Sequence, residues 1–264
     1  MMASDTHASA QLPWLEPGAV FPPIAQSWGA SDPAPGLLAA GAALDIETLC
    51  QAYRHGIFPW FSEGQPILWW SPDPRMVLKT ADFKLHRSLA KTLKKFIAND
   101  NCSLLIDTAF GDVIRACATR PRGTTASDGA ADTGPGTWIL PDMVAAYEAL
   151  HRMGFAHSVE VWINQELVGG LYCVAIGQAV FGESMFSRST DASKIALAGL
   201  VALSHAQGVE LIDCQQNTPH LASLGAREID RVRFALHVER ACQRQPLNWQ
   251  FENVYWNRVL QSTP

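Results

Sequence analysis

Three polar residues fall inside apolar, strand-like segments of the chain. In LIDCQ, Asp213 and Gln215 lie two positions apart, so alternation along a strand directs both to one face and Cys214 to the other. A carboxylate and an amide at a strand end can hold and polarise an incoming amine, or can cap the following helix. In FGESMF, Glu183 occupies an apolar run, where a carboxylate must be hydrogen-bonded or open to a cleft.

Aromatic side chains are concentrated early in the chain. The 264 residues include 9 Trp, and five aromatic residues are candidates for contact with a ligand: Tyr53, Trp60, Trp69, Trp70 and Trp138. A base stacked on such a ring contributes roughly 1–3 kcal/mol, and a packed core is the alternative explanation. Met185 belongs either to the core or to the lining of a pocket.

A basic segment contrasts with the net charge of −5. Between positions 79 and 95 the chain carries six Lys or Arg residues and one acidic residue. Four of them recur at i, i+4, i+7 and i+8 and therefore share one helical face: Arg87, Lys91, Lys94 and Lys95. A solvated helix face explains this pattern, as does contact with a phosphate backbone.

The elements that must position these residues form two regions. The first 36 residues are rich in Pro, Ala, Ser and Gly and indicate an irregular arm. A helix is predicted from near Asp45 to Gly56, followed by an aromatic hairpin that turns at 62–64. The prolines at 72–74 predict a boundary between a small N-terminal domain, 1–73, and a larger domain, 74–264.

The larger region predicts an α+β fold. Three β-rich runs between 157 and 186 indicate an antiparallel meander. A helix capped by Asp191, the strand that carries Asp213, a short helix at Pro219 and a final amphipathic helix over 230–244 follow. This order resembles the GNAT N-acyltransferase architecture, in which helices flank a mixed, largely antiparallel sheet.

Composition excludes several classes of protein. Hydrophobic residues make up 48% of the chain, which supports a core and argues against wholesale disorder. No apolar run is long enough for a membrane span, and no secretory signal is recognisable, so we expect a cytoplasmic protein without membrane contact. The 6 cysteines form no CxxC pair or zinc-ligand spacing, which indicates reduced thiols and no metal.

Several long motifs together identify a family. In chain order they are GIFPWFSEGQPILWWSPDPR, GTWI, HSVEVW with ELVGGLY, FGESMFSR, DASK, and LIDCQ with HLASLGAREI. This series resembles the bacterial leucyl/phenylalanyl-tRNA–protein transferase family over about residues 21–236. The resemblance implies a GNAT-like catalytic domain that moves Leu or Phe, and less well Met, from tRNA to proteins that begin with Arg or Lys. The product carries an N-terminal degradation signal.

The resemblance also implies roles for single residues. Trp60 and Trp138 match an adenosine pocket to which we add Tyr53, and Met185 and Ile212 match the pocket for the apolar side chain. The basic helix face matches a cluster that grips the acceptor stem. Glu183, Asp213 and Gln215 match the catalytic polar residues. The departures are the arm before Phe21, an inserted loop over 124–135 and the end of the chain from Val238.

Ester aminolysis is downhill, so we expect an enzyme without cofactor that positions substrates and manages protons. We also expect the protein to be a monomer. We expect Asp213 to orient Gln215, whose carbonyl oxygen accepts from the attacking amine. Gln is a very weak base, so a substrate or ribose hydroxyl is the alternative proton carrier. Glu183 is expected to bind the α-ammonium group or the ribose, and Glu183 or Asp213 to attract the positive acceptor residue.

Three other functions remain open from the sequence. An acyl-CoA N-acetyltransferase would need a pyrophosphate loop, which the sequence lacks. A non-catalytic RNA-binding module would keep its activity after Asp213→Ala. A related transferase acts on N-terminal Asp or Glu, although FGESMFSR and LIDCQ favour an Arg or Lys acceptor.

Overall fold

A computed structural model describes residues 12–119 and 139–261. Within these ranges the first four strands form one sheet in the order β1-β2-β4-β3: β1 Trp14–Leu15, β2 Leu37–Gly41, β3 Phe58–Pro59 and β4 Leu68–Trp70. The predicted aromatic hairpin is confirmed, because β3 and β4 pair antiparallel around the turn. The predicted helix is also present as α1, Ile46–Arg54, and the Asp45 carboxylate caps it by accepting from the Thr48 N–H at 2.8 Å.

A seven-stranded sheet follows in the order β11-β5-β10-β9-β8-β7-β6. Its strands are β5 Arg75–Lys79, β6 Cys102–Ile106, β7 Ala156–Ile163, β8 Glu166–Ile176, β9 Ala179–Ser187, β10 Leu211–Gln215 and β11 Arg227–Ile229. The predicted meander is confirmed as β7–β8–β9, and the only parallel pairing among the described strands of this sheet joins β9 to β10. The molecule is therefore a mixed α+β protein.

Helices cover both faces of the larger sheet. They are α2 Arg87–Ile97, α3 Phe110–Ala118, α4 Pro141–Arg152, α5 Ala192–Ala206, α6 Pro219–Ser223, α7 Arg231–Cys242 and α8 Asn257–Leu260. One core joins α3, α4 and α7 to the N-terminal sheet, and the other buries the apolar face of α2 and most of α5. No helix in the described part of the chain combines the length and the hydropathy that crossing a bilayer requires.

Two sequence-based expectations about helix ends were wrong. Asp191 does not cap α5, because it adopts a left-handed conformation (φ 60°) and makes no capping hydrogen bond. Its carboxylate instead forms an ion pair with Lys194 at 2.9 Å. The helix predicted to be the last, α7, is followed by a short 3₁₀ turn and α8.

The parallel pairing between β9 and β10 ends early. The strands pair only at Ile212 with Val180 and at Asp213 with Phe181, although both strands continue beyond these residues. A β-bulge against β5 follows between Asp213 and Gln215, and Gln215 has a left-handed backbone (φ 60°). The sheet is therefore interrupted at the residues that the sequence singled out.

Candidate active site

A cavity of about 470 Å³ opens where β9 and β10 cease to pair. This volume lies within the range typical of small-molecule sites. Phe58, Pro59 and Trp60 form an aromatic wall, and an apolar wall is formed by Leu171, Met185, Leu197, Leu200 and Ile212. Polar atoms come from Glu183, Asp213 and Gln215. The cavity can therefore receive an apolar group beside a line of hydrogen-bonding side chains.

Asp213 lies at one end of the hydrogen-bonded series formed by the polar residues of the cavity. Its carboxylate accepts two hydrogen bonds from the buried Arg75 guanidinium, from Nε to Oδ1 at 2.8 Å and from Nη2 to Oδ2 at 2.6 Å. Oδ1 also accepts from the main-chain N–H of Gln215 at 2.9 Å. Asp213 thus contacts Gln215 through the backbone. Regular strand alternation, from which we placed both side chains on one face, does not apply across the bulge.

The Gln215 side chain continues the line to Glu183. Its Nε2 donates to Glu183 Oε1 at 3.0 Å. Because an ionised carboxylate only accepts hydrogen bonds, the amide must turn its nitrogen toward Glu183. Its carbonyl oxygen is then directed away from Glu183 and remains able to accept from another donor.

Two tyrosines stand behind Glu183. The Tyr147 hydroxyl donates to Glu183 Oε2 at 3.4 Å, and the Tyr53 and Tyr147 hydroxyls are 2.5 Å apart. Burial raises the pKa of Glu183 to about 7, while hydrogen bonds from Tyr53 and Gln215 act in the opposite direction. Glu183 can therefore exchange a proton near neutral pH.

Only some of the residues expected to contact substrate line the cavity. Trp60, Met185 and Ile212 line the cavity, whereas Tyr53 is only 1% exposed and is not part of the lining. We expected Tyr53 to contact substrate, and its position instead makes it a support for Tyr147 and Glu183. Trp138 lies outside the described residues.

The remaining tryptophans of the aromatic cluster support the wall. Trp69 is fully buried and its indole N–H donates to the Gly41 carbonyl at 3.0 Å. Trp70 donates to the main-chain carbonyl of Trp60 at 2.7 Å, and the two rings lie 5.4 Å apart. The cluster is thus partly core and partly cavity wall.

Four basic residues of α2 are exposed and form no ion pair with any residue in the two described ranges: Arg87, Lys91, Lys94 and Lys95. The opposite face of α2 packs into the core through Leu89, Leu93 and Phe96. The predicted basic face is therefore present and open to a charged partner.

A thiol also lines the cavity. Cys214 is half-buried between the two polar residues of β10, and its Sγ lies 3.8 Å from the Ile212 carbonyl. Burial raises the pKa of this thiol far above its ordinary value. Cys214 is therefore protonated at neutral pH.

Sequence analysis missed Arg75, Tyr147 and Phe58. Arg75 opens an otherwise apolar strand segment, RMVL, and a cation in such a position requires a buried partner. That signal was available in the sequence. Nothing comparable marks Tyr147 or Phe58, because an aromatic residue is expected in any core.

Comparisons with known proteins identify the family of the chain. Residues 77–239 match the family described as leucyl/phenylalanyl-tRNA protein transferase, and residues 42–73 match the N-terminal domain of that family. Relatives named leucyl/phenylalanyl-tRNA–protein transferase are 59% identical in Polaromonas sp. and 55% in Albidiferax ferrireducens, each over 94% of both chains. A relative of that name in Burkholderia vietnamiensis is 52% identical over 91% of both chains.

Similarity to solved structures is remote. The structure of L-PGS from Bacillus licheniformis aligns with 66% of this chain and 52% of that chain, with a TM-score of 0.35 and 9% sequence identity. This score is too low to support any conclusion about the fold.

These matches define an enzyme of the aminoacyltransferase class. The chain belongs to the leucyl/phenylalanyl-tRNA–protein transferase family.

Proposed function

We propose that this enzyme transfers Leu or Phe, and less well Met, from aminoacyl-tRNA to the α-amino group of proteins that begin with Arg or Lys. The reaction forms a peptide bond and leaves an N-terminal degradation signal. The observation that supports this proposal is the hydrogen-bonded series Asp213–Gln215–Glu183 at a cavity that is otherwise lined largely by apolar and aromatic residues. An apolar aminoacyl group and an amine can meet there.

The donor fits the two hydrophobic walls. Met185, Ile212 and the leucines of α5 would surround the aminoacyl side chain, and Trp60 would stack on the terminal adenosine together with Trp138. One methylene in such a pocket is worth only about 1–3 kcal/mol. Overlapping use of Leu, Phe and Met is therefore expected.

The acceptor amine must lose a proton before it can attack the ester. Its ammonium form would bind Glu183, whose carboxylate takes one proton, while the Gln215 carbonyl oxygen accepts from a remaining N–H. The neutral amine then attacks the ester carbon and forms the C–N bond as the C–O bond breaks, and the second proton lost by the nitrogen passes to the 3′ oxygen of the ribose, which leaves as a hydroxyl. The alternative carrier of the first proton is a ribose hydroxyl.

Of the two carboxylates considered for the acceptor's positive residue, Glu183 is the better candidate. Arg75 occupies both oxygens of Asp213, whose side chain is only 1% exposed. Glu183 lines the cavity and has no cation in contact with it among the described residues.

We extend the proposal to the whole chain. Residues 1–73 would form a small N-terminal domain and residues 74–264 a GNAT-like catalytic domain, in a monomeric cytoplasmic enzyme. The position of the strands supports this division, because β1–β4 pair only with one another and the larger sheet begins at Arg75.

The proposal is tested by label transfer. The protein is incubated with radiolabelled Leu-tRNA and two peptides that differ only in a first residue of Arg or Asp, without ATP or CoA. We expect label on the Arg peptide. Label on the Asp peptide alone would indicate the related specificity, and tRNA binding without any transfer would indicate an RNA-binding module.

The basic face of α2 should act on donor binding. Replacing Lys91 and Lys94 with Ala should raise the KM for aminoacyl-tRNA, leave kcat nearly unchanged, and lower the slope of log KM against log salt concentration by about 2. The measurement is KM at several salt concentrations. The matched control is the pair Arg233→Ala and Arg240→Ala, two exposed cations of α7. An equal change of slope in both variants would contradict a specific role for α2.

A further inference from the structure

Arg75 is almost completely buried although it carries a charge. Its side chain is 1% exposed and forms two hydrogen bonds with Asp213. The guanidinium carbon lies 4.8 Å from the centre of the Phe58 ring and 4.6 Å from that of Phe234. Its Nη1 has no hydrogen-bond partner among the residues that the structure describes. The cation is thus held by two rings and one carboxylate.

Stability alone does not account for such a pair. Desolvation of two charges is costly, and a buried ion pair often contributes no more than apolar residues of the same size. What an Arg–carboxylate pair does provide is geometry, because two parallel N–H···O bonds fix the plane of the carboxylate. The arrangement therefore points to orientation of Asp213.

The orientation of Asp213 also determines the position of Gln215, which contacts Glu183. Oδ1, which accepts from Arg75 Nε, also accepts from the Gln215 main-chain N–H. This bond holds Gln215 in its left-handed conformation, from which the side chain contacts Glu183 at 3.0 Å. A rotated Asp213 carboxylate would release the backbone that directs the Gln215 amide.

Arg75 also contacts the aromatic wall of the cavity through Phe58. Phe58 belongs to β3 and precedes Trp60 by two residues, and both line the cavity. The same guanidinium therefore contacts the wall proposed for adenosine and the carboxylate beside the attacking amine.

We propose that Arg75 is a positioning residue for aminoacyl transfer, which holds Asp213 and the Gln215 backbone at a fixed distance from the aromatic wall. This inference rests on the proposed function. Arg75 is not part of the cavity lining, and it acts through Asp213 and Phe58, which are. Its effect should therefore fall on kcat rather than on donor binding.

The test measures kcat and KM for label transfer to the Arg peptide in Arg75→Met and Arg75→Lys. We expect kcat to fall about 100-fold in Arg75→Met, because small displacements of reacting groups have effects of this size. In Arg75→Lys, which keeps the charge but cannot form two parallel hydrogen bonds with Asp213, kcat should fall about 10-fold. The KM for aminoacyl-tRNA should stay within about threefold in both.

The matched control is Arg231→Met. Arg231 donates from Nη1 to the Ser71 carbonyl at 2.8 Å and joins α7 to the segment before Arg75, without contacting Asp213. Its kcat should remain within about twofold of the wild-type value. An equal loss of kcat in Arg231→Met and Arg75→Met would overturn the proposal in favour of general packing at this junction.

A double variant keeps the test decisive if Arg75→Met does not fold. Asp213→Asn with Arg75→Met removes both buried charges, and its kcat should stay within about threefold of that of Asp213→Asn alone, because only the contact of Arg75 with Phe58 is then left to lose. A further large loss, or wild-type kcat in a folded Arg75→Met, would overturn the inference. Absence of transfer by the wild-type protein would overturn the proposed function and the inference with it.

Discussion

Asp213→Ala should lower the free energy of unfolding by about 3–5 kcal/mol, because it leaves the Arg75 cation buried without a counter-charge. Both side chains of the pair are 1% exposed, so the cation left behind is largely shielded from bulk water. Transfer should become undetectable even in the folded fraction, since the Gln215 main-chain N–H loses its acceptor. Denaturant unfolding followed by fluorescence measures the first effect, and single-turnover label transfer measures the second.

Asp112→Ala is the matched control for stability. Asp112 pairs with Arg115 at 3.2 Å, but its side chain is 69% exposed, so its removal should cost only about 0–1 kcal/mol. An equally small loss in Asp213→Ala would show that the Arg75–Asp213 pair is not buried in solution. Transfer at the wild-type rate by Asp213→Ala would contradict the proposed site.

Glu183→Gln should lower kcat by about 100-fold or more, the usual contribution of a positioned proton acceptor. Glu183 has a pKa raised to about 7. Below that pH the carboxyl is protonated and cannot accept, so wild-type kcat should fall about tenfold for each pH unit below 7 and level off above it. The measurement is kcat against pH from 5.5 to 8.5, corrected for spontaneous hydrolysis of the aminoacyl ester.

In Glu183→Gln the fall of kcat below pH 7 should disappear. The remaining pH dependence should follow the acceptor amine itself, whose ordinary pKa is about 8. Glu210→Gln is the control, because Glu210 is an exposed carboxylate paired with Arg244 at 3.2 Å, and its profile should match the wild type. A Glu183→Gln variant whose kcat still falls below pH 7 would show that Glu183 is not the group that titrates there and would contradict its role as proton acceptor.

The sequence located much of this site because its residue types were conspicuous. Asp213 and Glu183 are carboxylates within apolar strands, and Trp60 stands in a segment unusually rich in Pro and Trp. The meander, α1 and the hairpin followed from periodicity and turn residues. These features depend on neighbours along the chain, which a sequence displays directly.

Contacts between distant residues were not predictable in the same way. Arg75 and Asp213 are 138 positions apart, and Tyr53 and Tyr147 are 94 apart. Nor did the LIDCQ segment predict a bulge, since the left-handed backbone of Gln215 is fixed by an oxygen that Arg75 holds. Tertiary contacts therefore decided the orientations, while local patterns indicated only the candidates.

The buried thiol of Cys214 has a chemical consequence for an ester substrate. A thiolate beside an activated aminoacyl ester would capture it as a thioester and divert it from the amine. Burial keeps Cys214 protonated, so the thiol at the wall of the cavity is a poor nucleophile. The same desolvation that raises the pKa of Glu183 thus protects the donor from a competing reaction within its own pocket.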